Sequence, residues 1–126
     1  MSIPVDVGDL TAVLEDFASG YLLTTTDGRV KVVTVDPTPD LTGLLVRAPG
    51  RGTLRNLAAN DAVTLMFPPR TPRGHTLLVD GSGSVVGEDV VVEPRAAVLH
   101  RPASHADAPP SGTGCGHDCA PVTSAE

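Results

Sequence analysis

The chain has 126 residues, of which 40% are apolar and 2% aromatic, and its formal net charge is −6 at pH 7. This length gives one domain with one core, and the negative charge together with the scarcity of rings for base stacking excludes general nucleic-acid binding. No apolar run approaches the ~20 residues of a membrane span, and the first 16 residues carry four acidic side chains and no basic one, which excludes a secretory signal and predicts a cytoplasmic protein.

The N-terminal third of the chain is predicted to form one helix and one hairpin. Apolar residues at helical spacing indicate a short amphipathic helix over Asp9–Phe17. Two β-rich runs, Tyr21–Thr26 and Arg29–Val35, flank an Asp27-Gly28 pair, which is typical of a tight type I′ hairpin. Two prolines within residues 36–40 then break the second strand, because proline cannot donate to a sheet ladder.

The middle of the chain is predicted to run strand, loop, helix, strand. A third strand covers Leu41–Ala48, and an arginine-rich loop leads from it to a short helix over Thr53–Ala59. Thr53 is the predicted N-cap of that helix, because a threonine hydroxyl can accept a backbone hydrogen bond in the first turn. A fourth strand follows over Ala62–Phe67, with side chains alternating between two faces.

Two further strands complete the predicted sheet, over His75–Val86 and Asp89–Glu93. Gly81 and Gly83, inside the first of these, predict a bulge or a sharp bend. The next stretch, Pro94–Leu99, is predicted to be a short helix or turn. Six strands with short connections match a small antiparallel barrel and do not match a doubly wound parallel fold.

The strongest local signal is a concentration of arginines at the start of the second predicted helix. Residues 41–79 contain one acidic side chain, Asp61, and five arginines: Arg47, Arg51, Arg55, Arg70 and Arg73. A helix N-terminus offers unpaired N–H groups and the positive end of the helix dipole, so arginines gathered there predict a bound anion. The alternative is a solvated loop whose arginines pair with distant carboxylates.

The runs Arg29–Val35 and Ala62–Phe67 frame a basic loop that ends in an Asn56-Leu57 pair, and Leu77–Gly87 supplies a further strand. This arrangement resembles the pyridoxamine 5′-phosphate oxidase-like, FMN-binding split-barrel family over roughly residues 8–100. The resemblance implies a mainly β fold, a six-stranded antiparallel split β-barrel of Greek-key type with two or three short helices. We assign residues 1–101 to this FMN-binding domain.

The resemblance also implies a cofactor, its binding residues and a partner. The FMN phosphate is expected at the loop and helix start, and the strand Val30–Val35 is expected to hold the ring edge through its backbone. The cofactor-binding residues implied in this way are Arg47, Arg51, Thr53, Arg55, Asn56, Val33 and Thr34. The family often has lysine at the position of Thr53, so here the arginines carry the phosphate contact. The implied function is an FMN-dependent oxidoreductase of unknown substrate that binds flavin between two subunits of a homodimer, and a deazaflavin-dependent reductase is the nearest alternative.

Residues 102–126 form a Pro/Gly/Ala-rich tail that is predicted to be flexible. Cys115, His117 and Cys119 gather two thiols and an imidazole within five residues, and His105 lies upstream. Thiolate and neutral imidazole are zinc ligands, so these four residues are candidates for a metal site. A reversible disulfide, a haem with a tail histidine as axial ligand and incidental cysteines are the alternatives. A non-enzymatic binding or sensor module for zinc, haem or redox is therefore the second functional hypothesis.

Overall fold

Eight antiparallel strands and two short helices build the protein, as seen in a computed structural model that describes residues 2–102. The strands are β1 (Ser2–Val5), β2 (Gly20–Thr26), β3 (Arg29–Val35), β4 (Thr38–Asp40), β5 (Gly43–Val46), β6 (Ala62–Phe67), β7 (Thr76–Val86) and β8 (Asp89–His100). The helices are α1 (Leu10–Leu14), which follows a 3-10 turn over Val7–Asp9, and α2 (Arg51–Ala59). The strand order is β3-β2-β6-β7-β8-β5-β4, and β1 pairs with β8. The prediction of a mainly β, antiparallel split barrel is thereby confirmed.

Residues 2–102 form eight strands where the sequence predicts six. The two additional strands are β1, which pairs with the end of β8, and β4, which pairs with β5. The predicted break over residues 36–40 is wrong for residues 38–40. These residues form β4, in which Pro39 lies opposite Leu44. Among the described strands β4 lies at one edge of the sheet, where a proline leaves no ladder hydrogen bond unmade.

The helix or turn predicted over Pro94–Leu99 is also wrong, because β8 continues to His100. This part of β8 pairs with β7 on one side and with β1 on the other, so two ladders hold it extended. Pro94 lies opposite Gly81 at a register shift between Asp80 and Gly81, which confirms the predicted irregularity in β7. Proline is tolerated at such a bulge because the ladder is already interrupted there.

The core lies on the inner face of the sheet, which α1 and α2 each contact through one buried leucine. Its fully buried large side chains are Leu22, Leu65, Phe67, Leu77, Val46, Val79, Val90 and Val92. Leu10 of α1 and Leu57 of α2 pack against this cluster, and burial of these apolar groups is the main driving force for folding. None of the helices within residues 2–102 combines the length and apolar character that crossing a membrane requires.

Candidate functional site

Helix α2 begins two residues earlier than the sequence predicts, at Arg51. Gly50 is its N-cap, with φ 112°, and no side chain caps the helix. Gly50 also provides the first intrahelical acceptor, since its carbonyl oxygen accepts the N–H of Leu54 at 3.1 Å. The first-turn N–H groups of α2 therefore remain available to an anion at the positive end of the helix dipole.

Thr53 is not the N-cap, which corrects the sequence prediction. It is the third residue of α2, and its side chain lies with Leu57 on the buried face of the helix. Thr53 is 1% exposed, and its Oγ1 atom has no hydrogen-bond partner among residues 2–102. The hydroxyl therefore belongs to the core in this conformation, and the polar contacts at the helix start must come from other residues.

Lys31 is the residue of this region that sequence analysis missed. A Cβ atom added to Gly52 would lie 2.9 Å from Lys31 Cε and 3.2 Å from Lys31 Nζ, so the end of this side chain lies over the first turn of α2. The helix dipole disfavours an ammonium group at this end of a helix. The alternation of side chains along β3 could have identified Lys31, because it places Lys31 on the same face as Val33 and the buried Val35.

A cleft of about 610 Å³ separates the β2–β3 hairpin from α2. Its lining residues are Thr26, Asp27, Arg29, Val30, Lys31 and Asn56. This volume is within the range of about 300–1,000 Å³ that is usual for ligand pockets. Asn56 is the one predicted site residue that lines the cleft, and the cleft adds two cations from β3 that the prediction did not include.

The Asn56 side chain joins α2 to β2. Its Nδ2 atom donates to Thr24 Oγ1 at 3.1 Å, and its Oδ1 atom accepts the hydroxyl of Thr26. Thr24 is 1% exposed, so one end of this bridge is in the core. The two hydrogen bonds fix the distance between the helix and the hairpin, and this distance sets the width of the cleft.

In the described part of the chain, five cations of β3, of the loop after β5 and of α2 have no carboxylate partner. Arg29 and Lys31 come from β3, Arg47 from the end of β5, and Arg51 and Arg55 from one exposed face of α2, one turn apart. None of them has a carboxylate oxygen within 4.0 Å among residues 2–102, where the ion pair formed is Arg95 with Glu93. Of the alternative, the pairing of Arg47, Arg51 and Arg55 with distant carboxylates is not seen among residues 2–102, whereas a solvated position fits, because all three residues are exposed. Like charges one turn apart and arginine in a first helical turn both destabilise a helix unless an anion is bound.

Strand β3 forms the second edge of the described sheet and leaves backbone groups unpaired. Asp27 and Gly28 have φ of 53° and 76°, which confirms the predicted type I′ turn. The residues flanking such a turn form a hydrogen-bonded pair, and the pairs alternate along the ladder. The register with β2 therefore directs the N–H and C=O groups of Val30, Val32 and Thr34 away from the sheet. Of the two predicted strand residues, Thr34 has outward backbone groups, whereas Val33 uses its own in pairing with Leu22.

The outer face of the sheet carries mostly apolar side chains, interrupted by Thr34, Thr64 and Asp80. Cross-strand neighbours share a face, and the register places Thr34, Tyr21, Met66, Leu78 and Val98 in one row, and Val32, Leu23, Thr64, Asp80 and Ala96 in the next. No described element covers the β3 end of this face, where Val30 is 59% and Val32 52% exposed. These two exposed valines make the β3 end of the outer face a candidate surface for association.

The tail candidates Cys115, His117, Cys119 and His105 lie outside the described residues. Within residues 2–102 no group of three or more histidine, cysteine, aspartate or glutamate side chains could hold a metal ion. The metal site and the redox and haem alternatives therefore stay predictions from the sequence.

The fold of residues 2–102 is that of the pyridoxamine 5′-phosphate oxidase-like split barrels. A Listeria innocua protein provisionally assigned as a pyridoxamine 5′-phosphate oxidase aligns with a TM-score of 0.60 and 14% identity, over 74% of this chain and 96% of its own. The FAD-binding protein from Mycobacterium smegmatis aligns with a TM-score of 0.59 and 18% identity, over 80% of this chain and 100% of its own. A FAD-binding protein from Mesorhizobium loti aligns with a TM-score of 0.59 and 14% identity, over 80% of this chain and 99% of its own. At these identities the likeness shows the fold.

The chain belongs to one family with two mycobacterial proteins. They are the uncharacterized protein Mb0449c of Mycobacterium bovis and the uncharacterized protein MT0457 of Mycobacterium tuberculosis. Each is 39% identical to this chain over 132 residues, and the alignment covers 91% of this chain and 92% of the relative. No protein-family model matches the chain.

Proposed function

We propose that this protein binds a flavin, with FMN as the first candidate, and acts as an FMN-dependent oxidoreductase. The observation that carries the proposal is the uncapped start of α2, which Lys31 overlies, together with the arginines of α2, of the loop before it and of β3 that are unpaired within residues 2–102. A phosphate there would receive first-turn N–H groups and at the same time neutralise cations that otherwise oppose the helix dipole. Two structures with this fold are named as FAD-binding proteins, which supports a flavin as the ligand. A deazaflavin is the remaining candidate.

The residues present fit a ligand with an anionic end and a flat polar end. Arg51, Arg55 and Lys31 would bind the phosphate. The outward N–H and C=O groups of β3 would hydrogen-bond the edge of the ring. Bound flavin supplies the hydride or electron transfer, while the protein contributes position and charge. No side chain of the cleft pairs an acid with a base, so we assign no catalytic residue.

The double variant Arg51→Ala/Arg55→Ala tests the phosphate site. Each charge-assisted contact contributes about 1.5 kcal/mol or more, so the dissociation constant for FMN is expected to rise about 100-fold. Riboflavin, which has no phosphate, should bind both proteins equally. Quenching of flavin fluorescence during titration of the full chain measures both ligands, and FAD and a deazaflavin can be titrated in the same way.

Arg70→Ala/Arg73→Ala is the matched control, because it removes the same charge from the β6–β7 loop. Its FMN affinity should equal that of the unaltered protein. An unaltered protein that binds no flavin would refute the proposed function. Equal FMN affinities of the two double variants would keep the flavin but place its phosphate elsewhere.

We also propose that a second copy of the chain covers the outer face, giving a homodimer. Val32 is half exposed at the β3 end of this face. A carboxylate at this position would be buried without a partner in the dimer, so Val32→Glu is expected to weaken self-association at least about 100-fold. Sedimentation equilibrium measures the effect. Leu41→Glu, at a fully exposed apolar residue between β4 and β5, should leave the dimer intact, and equal association of both variants would contradict the assignment of this face.

A further inference from the structure

The loop between β5 and α2 contains a backbone conformation that its sequence disfavours. Ala48 has φ 43°, in the left-handed region where residues with a Cβ atom are strained. It also directly precedes Pro49, and proline favours an extended conformation in the residue before it. Two independent local preferences therefore oppose the observed geometry, so a contact from outside the loop must maintain it.

That contact is a hydrogen bond from a different hairpin. The N–H of Ala48 donates to Asp89 Oδ1 at 2.9 Å. Asp89 is the first residue of β8, and the next residue, Val90, is fully buried and pairs with Val46 at the end of β5. The carboxylate is thus positioned by the core of the barrel, directly beside the point where the chain leaves β5 for α2.

The negative charge of Asp89 by itself opposes anion binding in this region. A carboxylate near a group of cations that binds an anion lowers the affinity for that anion by repulsion. Asp89 forms no ion pair within 4.0 Å to any cation of residues 2–102. Any contribution of Asp89 to anion binding would therefore come from the geometry that it maintains.

We propose that Asp89 is a positioning residue for the cofactor phosphate. By holding Ala48 in the left-handed conformation it fixes the course of residues 47–50, and with it the direction from which Arg47 and the open N–H groups of α2 meet the phosphate. This inference rests on the proposed flavin function. It assigns to Asp89 an effect opposite in sign to that of its charge.

Two substitutions separate geometry from charge. Asp89→Asn keeps an oxygen that can accept the Ala48 N–H and removes the negative charge, so FMN should bind as tightly as before or more tightly. Asp89→Ala removes both, and the loss of a hydrogen bond to a charged group is expected to raise the FMN dissociation constant about 10-fold. Riboflavin should bind both variants like the unaltered protein, since the ring edge lies along β3.

Fluorescence titration of the full chain and of both variants with FMN and riboflavin gives all six affinities. Asp89→Ala binding FMN as tightly as the unaltered protein, or more tightly, would overturn the inference and leave the flavin proposal standing. Equal losses for FMN and riboflavin would also overturn it, because they would show a general disturbance of the fold. Failure of the unaltered protein to bind FMN would refute the proposed function itself, and that result is visible before any variant is tested.

Discussion

Replacing Gly52 with alanine is expected to stabilise the protein and to weaken its binding of FMN. Alanine is favoured over glycine in a helix by up to about 1 kcal/mol, so the free energy of unfolding should rise. The new methyl group would occupy the space over α2 where Lys31 lies, 2.9 Å from its Cε atom. The ammonium group would have to move away. Loss of a charge-assisted contact worth about 1.5–3 kcal/mol would raise the FMN dissociation constant about 10- to 100-fold.

Urea unfolding and FMN titration on the same preparation measure the two opposite effects. Lys31→Met is the matched variant, because it removes the ammonium group but leaves the glycine in the helix. It should lose a similar amount of FMN affinity, and its gain in stability should be no larger than that of Gly52→Ala, because only the unfavourable interaction of the ammonium group with the helix dipole is relieved. Since both substitutions act through one contact, the double variant should bind FMN no more weakly than either single one.

Other results would show which contact with the flavin has been assigned wrongly. If Lys31→Met bound FMN weakly and Gly52→Ala bound it normally, the ammonium group would reach the phosphate by a route that does not pass over Gly52. If Gly52→Ala lost FMN and riboflavin affinity equally, the methyl group would be acting on the ring site. If neither variant changed FMN affinity, the phosphate would be held by the arginines alone.

The part of the site that sequence analysis could identify is the part that is local in the chain. Arg51 and Arg55 are one helical turn apart and follow a Pro-Gly loop, so spacing and charge alone bring them together. Lys31 reaches the same helix from a hairpin 20 residues earlier, and only the packing of α2 against β2, the partner strand of β3, makes it a neighbour of Gly52. Thr53 shows the opposite error, because a residue suited to capping was drawn into the core when the helix began earlier at Arg51.

The fold shows the same division between local and long-range information. The β2–β3 hairpin was predictable because Asp27 and Gly28 favour positive φ, and this preference alone selects the turn. The stretch Pro94–Leu99 has a local preference for helix or turn, yet two neighbouring strands extend it as β8. Ladder pairing and core burial override weak propensities, and neither can be calculated from a window of a few residues.

Gly20→Ala is expected to cause the largest loss of stability of the variants considered. Gly20 is buried at the start of β2, where an added Cβ atom would lie 2.6 Å from Phe67 Cδ1 and closer still to the carbonyl oxygen of Met66. Neither atom can yield easily. Met66 is held in the ladder between β2 and β6, and the Phe67 ring is 1% exposed and packs against Phe17 at a centroid distance of 6.4 Å. The free energy of unfolding is expected to fall by about 3 kcal/mol or more.

Gly8→Ala is the control, because the nearest atom to its added Cβ would be Asp6 Oδ1 at 3.5 Å, an ordinary contact. Its free energy of unfolding should change by no more than about 0.5 kcal/mol. Both variants lose the same glycine flexibility in the unfolded chain, so their difference in urea unfolding isolates the steric cost at Gly20. Equal stabilities of the two variants would mean that β6 can move away from β2 at this point. The close packing of β2 and β6 beside Phe67 would then not be a fixed feature of the fold.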